Sequence, residues 1–279
     1  MRLAGFFWIT RPANAAVAGL AAIVAYLIAT GTIIPAALTL FGIVTLITAA
    51  GNVINDYFDA AIDAINRPDR PIPSGTVSRS TARGFAVTLF LAGILLCFFT
   101  TPLCAALAIG NTLLLIAYAA RLKSTPFIGN VAVSYLSASI FLFGGAFAGL
   151  DGLIHMFPIA GMTFLAMMAR ELLKDAEDIK GDASEGATTL PIVIGISKTA
   201  WLAFAFAVMA AAASVIPYFW WGAGYLAGIG IVDILLLFAA FRALICTTPA
   251  CVKTSGASAF LKTGMFLSLL VFTLSAVFL

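Results

Sequence analysis

Charge is scarce in this sequence. Asp, Glu, Lys and Arg make up 10% of 279 residues, 62% are hydrophobic, and mean hydropathy is +1.10. A soluble domain of this size needs far more polar surface, so the composition implies a polytopic membrane protein. Histidine occurs once, as His155. The four cysteines, Cys97, Cys104, Cys246 and Cys251, have spacings that match no metal or redox motif. That speaks against a zinc site, and the cysteines are expected to be plain packing or loop residues. Short alternating strands are also missing; the apolar runs are too long and too uniform for a β-barrel. Met1–Thr10 carries a single Arg and no small-residue cleavage pattern, so the first span is expected to stay in the protein.

What is present is a series of apolar runs, each near the roughly 20 residues a helical span needs. Nine are read, at about 12–30, 33–56, 82–100, 102–120, 130–149, 154–174, 199–217, 219–242 and 258–279. Backbone groups in lipid must pair within their own segment, so these are helices. The expected fold is an all-α polytopic membrane protein, with nine transmembrane helices around a central cavity. With that count, all 15 Lys and Arg fall in or beside the N-terminal tail and the even-numbered gaps between spans. The positive-inside rule then sets the N-terminus in the cytoplasm and the C-terminus outside. Of the 12 acidic residues, Asp151 alone is on the outer side and Asp233 lies within the eighth span. The rest gather after spans two and six, on the cytoplasmic side.

These two acidic runs carry the chemistry. On a helix at about 100° per residue, Asn52, Asn55, Asp56, Asp59 and Asp63 share a stripe about 100° wide. In RELLKDAEDIKGD, Glu171, Asp175, Asp178 and Asp182 share one about 60° wide, with Lys174, Glu177 and Lys180 pointing elsewhere. Like charges stacked at i,i+4 repel, and an Asp near the centre of a span costs about 3 kcal/mol to insert. A divalent cation resolves the conflict. Oxygen-only ligands select a hard ion, Mg²⁺ above all, which favours a few carboxylates plus substrate phosphate oxygens. Two facing stripes would hold Mg²⁺ with a diphosphate between them. Their spacing four spans apart points to an internal duplication, into parts of about 1–125 and 126–279.

Basic and polar residues beside the stripes fit the same ligand. Arg67 and Arg70 lie in NRPDRPIPSG, a Pro-rich turn after the first stripe, where Asp69 drops out of the helical face. Tyr118, Arg121 and Lys123 end the fourth span. Arg binds phosphate bidentately and Lys acts as a point charge. Arg79 and Arg83 read as ordinary loop charges, and no feature points to nucleic acid. Gly144, Gly145 and Gly149 allow close helix approach or cavity space. Asp233 is a candidate by burial alone and is left out of the site. A cation-coupled transporter is the competing class, but its acids belong near the midplane rather than at helix ends.

At these residues the sequence resembles the UbiA family of intramembrane prenyltransferases. NDYFDAAID matches the family's NDxxDxxxD at Asn55, Asp56, Asp59 and Asp63, and KDAEDIKGD matches its DxxDxxxD at Asp175, Asp178 and Asp182. INRPDRPIPSG, GATTLPIVIG and RPAN at Arg11–Asn14 are also similar to the family. Many members place a Lys where this chain has Leu122, with Lys123 following one position later. The resemblance implies a Mg²⁺-dependent transfer of a prenyl group from its diphosphate. It places both aspartate sets on the metal and Asn14 in the cavity. Lys174 is a further candidate for contact with the diphosphate or headgroup. The motif wording is most similar to archaeal enzymes that join geranylgeranyl diphosphate to the hydroxyl of geranylgeranylglyceryl phosphate, a membrane-lipid step. Chlorophyll synthases share much of the IDAINxPxRPIPSG wording, so an aromatic or tetrapyrrole acceptor is the alternative.

Overall fold

This computed structural model describes residues 3–184 and 186–279 and, within them, all side chains but those at 3, 66, 180 and 184. Arg2, Glu185 and the Lys180 side chain, to which the sequence reading gave places, lie outside the described residues. Among the described residues the regular structure is entirely helical. In chain order the helices are α1 (Leu3–Ile9), α2 (Pro12–Thr30), α3 (Leu38–Phe58), α4 (Ala60–Asn66), α5 (Arg79–Leu96), α6 (Pro102–Ala120) and α7 (Ile128–Phe147). Then follow α8 (Leu150–His155), α9 (Phe157–Ser184), α10 (Leu190–Ile194), α11 (Ile196–Ala213), α12 (Tyr218–Ala243), α13 (Pro249–Ser255) and α14 (Ala257–Phe278).

Local chemistry sets the helix ends. Ser78 and Thr101 sit in extended backbone and accept the N–H of Thr81 and Cys104, capping α5 and α6. Pro opens α2, α6 and α13, where its missing N–H costs nothing. Among the described residues, eight stretches are long and apolar enough to cross a membrane. Of the nine expected spans, the sixth falls short of that measure. Its helix, α9, continues well past the expected end, and Arg170, Glu171 and Lys174 interrupt its apolar part.

The chain divides into two compact units. The first runs to Arg121 and takes in Ile140–Ile154. Its hub is α3, packed against α2, α5 and α6. Leu40, Ile43 and Val53 on α3 are fully buried. Small residues allow the approach: a Cβ at Gly19 would lie 2.4 Å from Thr45 Oγ1, and one at Gly144 would lie 2.4 Å from the Ala22 carbonyl oxygen. The close-approach reading of Gly144 therefore holds, whereas Gly149 ends its helix with φ 97° and open space beside it.

The second unit comprises Leu122–Ser139 and His155–Leu279. Here α9 is the hub, packed against α10, α11, α13 and α14, with Met168, Leu172 and Leu173 fully buried. Gly222, at φ 64° and ψ −154°, breaks α12 near its start. One expectation is overturned in this unit. Cys246 and Cys251 are not unlinked packing residues; they form a disulfide. The turn between α12 and α13 brings their Cα atoms to 5.4 Å, a geometry that spacing alone does not reveal. The bridge joins a small apolar cluster with Val252 and with Ala176, which lies inside the second acidic run. Cys97 and Cys104 are free and buried, as packing residues.

Candidate active site

The first acidic cluster sits where α3 gives way to α4. The stripe expected on one continuous helix is divided by a turn at Asp59. The turn is shallow: Asp59 N–H donates to the Asn55 carbonyl at 2.9 Å, and Asp63 N–H to the Asp59 carbonyl at 2.8 Å. Asp56 and Asp63 therefore still converge. Both are buried, at 4% and 5% exposure, and buried carboxylates need partners. Arg70 supplies one, with Nη1 at 2.6 Å from Asp63 and 3.3 Å from Asp56. Arg11 supplies another, with Nη2 2.6 Å from Asp56. Arg11 occupies left-handed backbone at φ 50°, uncommon for a residue with a Cβ, at the entry to α2. The third acid, Asp59, accepts from Asn55 Nδ2 at 2.8 Å.

The remaining residues of this unit divide by exposure. Asn52 donates to the Thr10 carbonyl at 2.9 Å, pinning α3 to the turn before Arg11. Asn14, Arg67, Asp69 and Arg121 are exposed, and Tyr118 is half-buried on the last turn of α6. Arg79 does more than an ordinary loop charge: its guanidinium lies 4.7 Å from the Tyr57 ring centre and donates to the Tyr57 carbonyl.

The second cluster lies on the last turns of α9. Asp175 accepts from Asn130 Nδ2 at 2.8 Å. Asp178 accepts from Lys174 Nζ at 2.5 Å, and Glu177 lies 3.7 Å from the same ammonium. Lys174 thus does not point away from the stripe; its long stem reaches across to it. Asp182 accepts from the Thr189 hydroxyl at 3.1 Å. Glu171, one turn earlier, is engaged by neighbouring Arg170. Lys123 is half-buried in the short turn before α7. Burial pushes the Asp175 carboxyl up to about 7; the Asn130 hydrogen bond opposes the shift, and Glu171, Asp182 and Asp178 add to it. The Asp182 carboxyl is raised in the same way, with burial again the leading cause.

Sequence reasoning missed Asn130 and Thr189. It also left Arg11 out of the site, although RPAN had marked that position. The donor set of both clusters is oxygen only. Among the described residues no three His, Cys, Asp or Glu side chains already form a metal cluster. The oxygen-only donor set fits Mg²⁺, which takes one or two carboxylates and completes its shell with water and substrate phosphate.

Comparison with known proteins agrees with this chemistry. Residues 15–277 match the UbiA prenyltransferase family. A digeranylgeranylglyceryl phosphate synthase of Methanoregula boonei is 66% identical over 279 residues, covering all of both chains. A solved structure concerning digeranylgeranylglyceryl phosphate synthase superposes with a TM-score of 0.84 at 35% identity, covering 99% of each chain. A UbiA homolog from Archaeoglobus fulgidus, bound to GPP and Mg²⁺, shares the fold, with a TM-score of 0.65 at 15% identity over 95% of this chain and 99% of that one.

Proposed function

We propose a specific reaction for this chain, which belongs to the UbiA prenyltransferase family. It transfers the geranylgeranyl group of geranylgeranyl diphosphate to the hydroxyl of geranylgeranylglyceryl phosphate, making an ether bond of an archaeal membrane lipid. The observation that carries the choice of acceptor is the 66% identity to the Methanoregula boonei synthase across the whole of both chains.

The bond between the allylic carbon and the diphosphate oxygen breaks with its electron pair leaving on diphosphate. The carbocation-like chain is captured by the acceptor oxygen, which then loses its proton. The residues that would hold Mg²⁺ are Asn55, Asp56, Asp59 and Asp63 in one cluster and Asp175, Asp178 and Asp182 in the other. When bound, the ion neutralises charge growing on the diphosphate. Arg67, Arg70, Arg121, Lys123 and Lys174 offer cationic donors to phosphate oxygens of donor and acceptor. Asn14, Asn52 and Tyr118 add neutral ones. Burial stabilises the prenyl tails by about 0.8 kcal/mol per CH₂, and an apolar surround keeps water from the cation. Nine spans, with the N-terminus and the acid-bearing helix ends on the cytoplasmic side and the C-terminus outside, fit the distribution of Lys and Arg.

The test offers purified protein in micelles geranylgeranyl diphosphate and Mg²⁺ with a panel of acceptors, and reads products by mass. The expected product is prenylated geranylgeranylglyceryl phosphate, and chelation should stop its formation. Product on an aromatic acceptor alone would overturn the acceptor assignment. Product in micelles, which hold no gradient, excludes the transporter reading, and no product on any acceptor would overturn the proposed reaction.

A further inference from the structure

The two acidic clusters share one plan of support. In the first, Asp56, Asp59 and Asp63 receive side-chain donors at separations of 45, 4 and 7 residues: Arg11, Asn55 and Arg70. In the second, Asp175, Asp178 and Asp182 receive Asn130, Lys174 and Thr189 at the same separations of 45, 4 and 7. Where the first cluster uses two guanidinium groups, the second uses an amide and a hydroxyl.

We propose that Asn130 and Thr189 are positioning residues that hold Asp175 and Asp182 for a divalent cation, and that their neutrality makes the second cluster the stronger cation site. The proposal rests on the metal-dependent transfer argued above. A neutral donor fixes a carboxylate's orientation without cancelling the charge the cation needs, as the outer partners of metal ligands do. Each bond uses Oδ2, which keeps Oδ1 for the ion.

Both donors are built in. Asn130 is 5% exposed and Thr189 4%. Asn130 enters α7 through a tight turn, with Phe127 at φ 65°. A Cβ at Gly129 would lie 2.6 Å from the Leu122 carbonyl oxygen, so the turn admits little else. Thr189 stands at the N-cap of α10, where a hydroxyl ordinarily accepts a helix N–H. It makes no such bond, and its hydroxyl goes to Asp182 instead. The two supporting loops are tied to each other, Thr188 N–H donating to the Ser124 carbonyl at 3.0 Å.

The test is Mn²⁺ binding, followed by electron paramagnetic resonance on purified protein in nanodiscs with an unreactive geranylgeranyl thiolodiphosphate. It is paired with the Mg²⁺ dependence of turnover. Asn130→Leu and Thr189→Val keep volume and remove the donor. Each is expected to weaken Mn²⁺ binding and raise Mg²⁺ half-saturation by about 10- to 100-fold, with the loss in half-saturation rather than in kcat. Thr189→Ser, which keeps the hydroxyl, should recover most of what Thr189→Val loses. Unchanged Mn²⁺ affinity in a folded Thr189→Val protein overturns the proposal, whether or not Asn130→Leu folds. Equal weakening by Thr189→Ser also overturns it, because packing rather than the hydroxyl would then be the cause. A wild type that binds Mn²⁺ in this way yet makes no prenylated product would overturn the reaction and leave the positioning role supported.

Discussion

The two acidic clusters meet the same electrostatic problem in different ways. At the first, Arg11 and Arg70 place permanent positive charge on Asp56 and Asp63, both nearly sealed from solvent. At the second, Asp175 and Asp182 accept from the neutral Asn130 and Thr189, and the half-exposed Lys174 reaches Asp178. The first cluster is thus close to neutral before any metal arrives. The second has fewer positive charges beside its aspartates; burial leads the rise of the Asp175 carboxyl to about 7, and Glu171, Asp182 and Asp178 add to it. Arg70 bonds its aspartates through Nη1, and a guanidinium has five donor hydrogens. It can therefore hold the first cluster together while offering other N–H groups to a phosphate. On this view the first half leans toward the anion and the second toward the cation.

The largest expected effect comes from removing the middle acid of either half. Asp59→Ala and Asp178→Ala should each lower turnover by about 1,000-fold, the scale seen when charge stabilisation at a reacting centre is lost, while the protein still inserts. Near-normal rates in either variant at saturating Mg²⁺ would remove that half from the reaction. The contrast sharpens if excess Mg²⁺ restores part of the loss in Asp59→Ala but none in Asp178→Ala.

Next in size is Arg70→Met. It leaves Asp63 buried without its cation and Asp56 with Arg11 alone. Breaking one side of a buried pair costs about 3 kcal/mol or more, to be read as a lower unfolding temperature in metal-free micelles at neutral pH. Thr189→Val, its counterpart in the second half, removes no charge and should cost less stability. Equal losses would mean that the two donors do the same work and that the charge difference is incidental.

The membrane class was legible because apolar run length is a one-dimensional signal. Span ends were uneven: the runs read at about 12–30 and 102–120 coincide with α2 and α6, whereas α5 starts at Arg79, ahead of the run read from about 82, because Ser78 caps it and run length does not weigh a cap. The acids were legible because both sets recur at i, i+3 and i+7, and a helix turns that spacing into a face. Their donors were not. Arg11 lies 45 residues from Asp56, and Asn130 lies 45 from Asp175. No helical periodicity joins positions so far apart. Thr189 looks like a routine N-cap until its bond to Asp182 is seen. The Cys246–Cys251 bridge was hidden for a similar reason, since it depends on how the α12–α13 turn folds.

The smallest effect concerns protons. Burial raises the Asp175 carboxyl from 3.8 to about 7, so the metal-free fold disfavours its ionised form. The sign follows: this group's contribution to stability is full below about pH 4 and is lost as pH rises through about 7. A cation acts the other way, because it needs the carboxylate and must displace the proton. Mn²⁺ affinity should therefore fall by about tenfold per pH unit below about 7 and level off above it. Asp175→Asn should bind more weakly and flatten that dependence, since no proton remains to compete at that position. A wild-type titration that is flat from roughly pH 5.5 to 8.5 would mean that the second half's charge is already answered. The two clusters would then differ in wording but not in electrostatics.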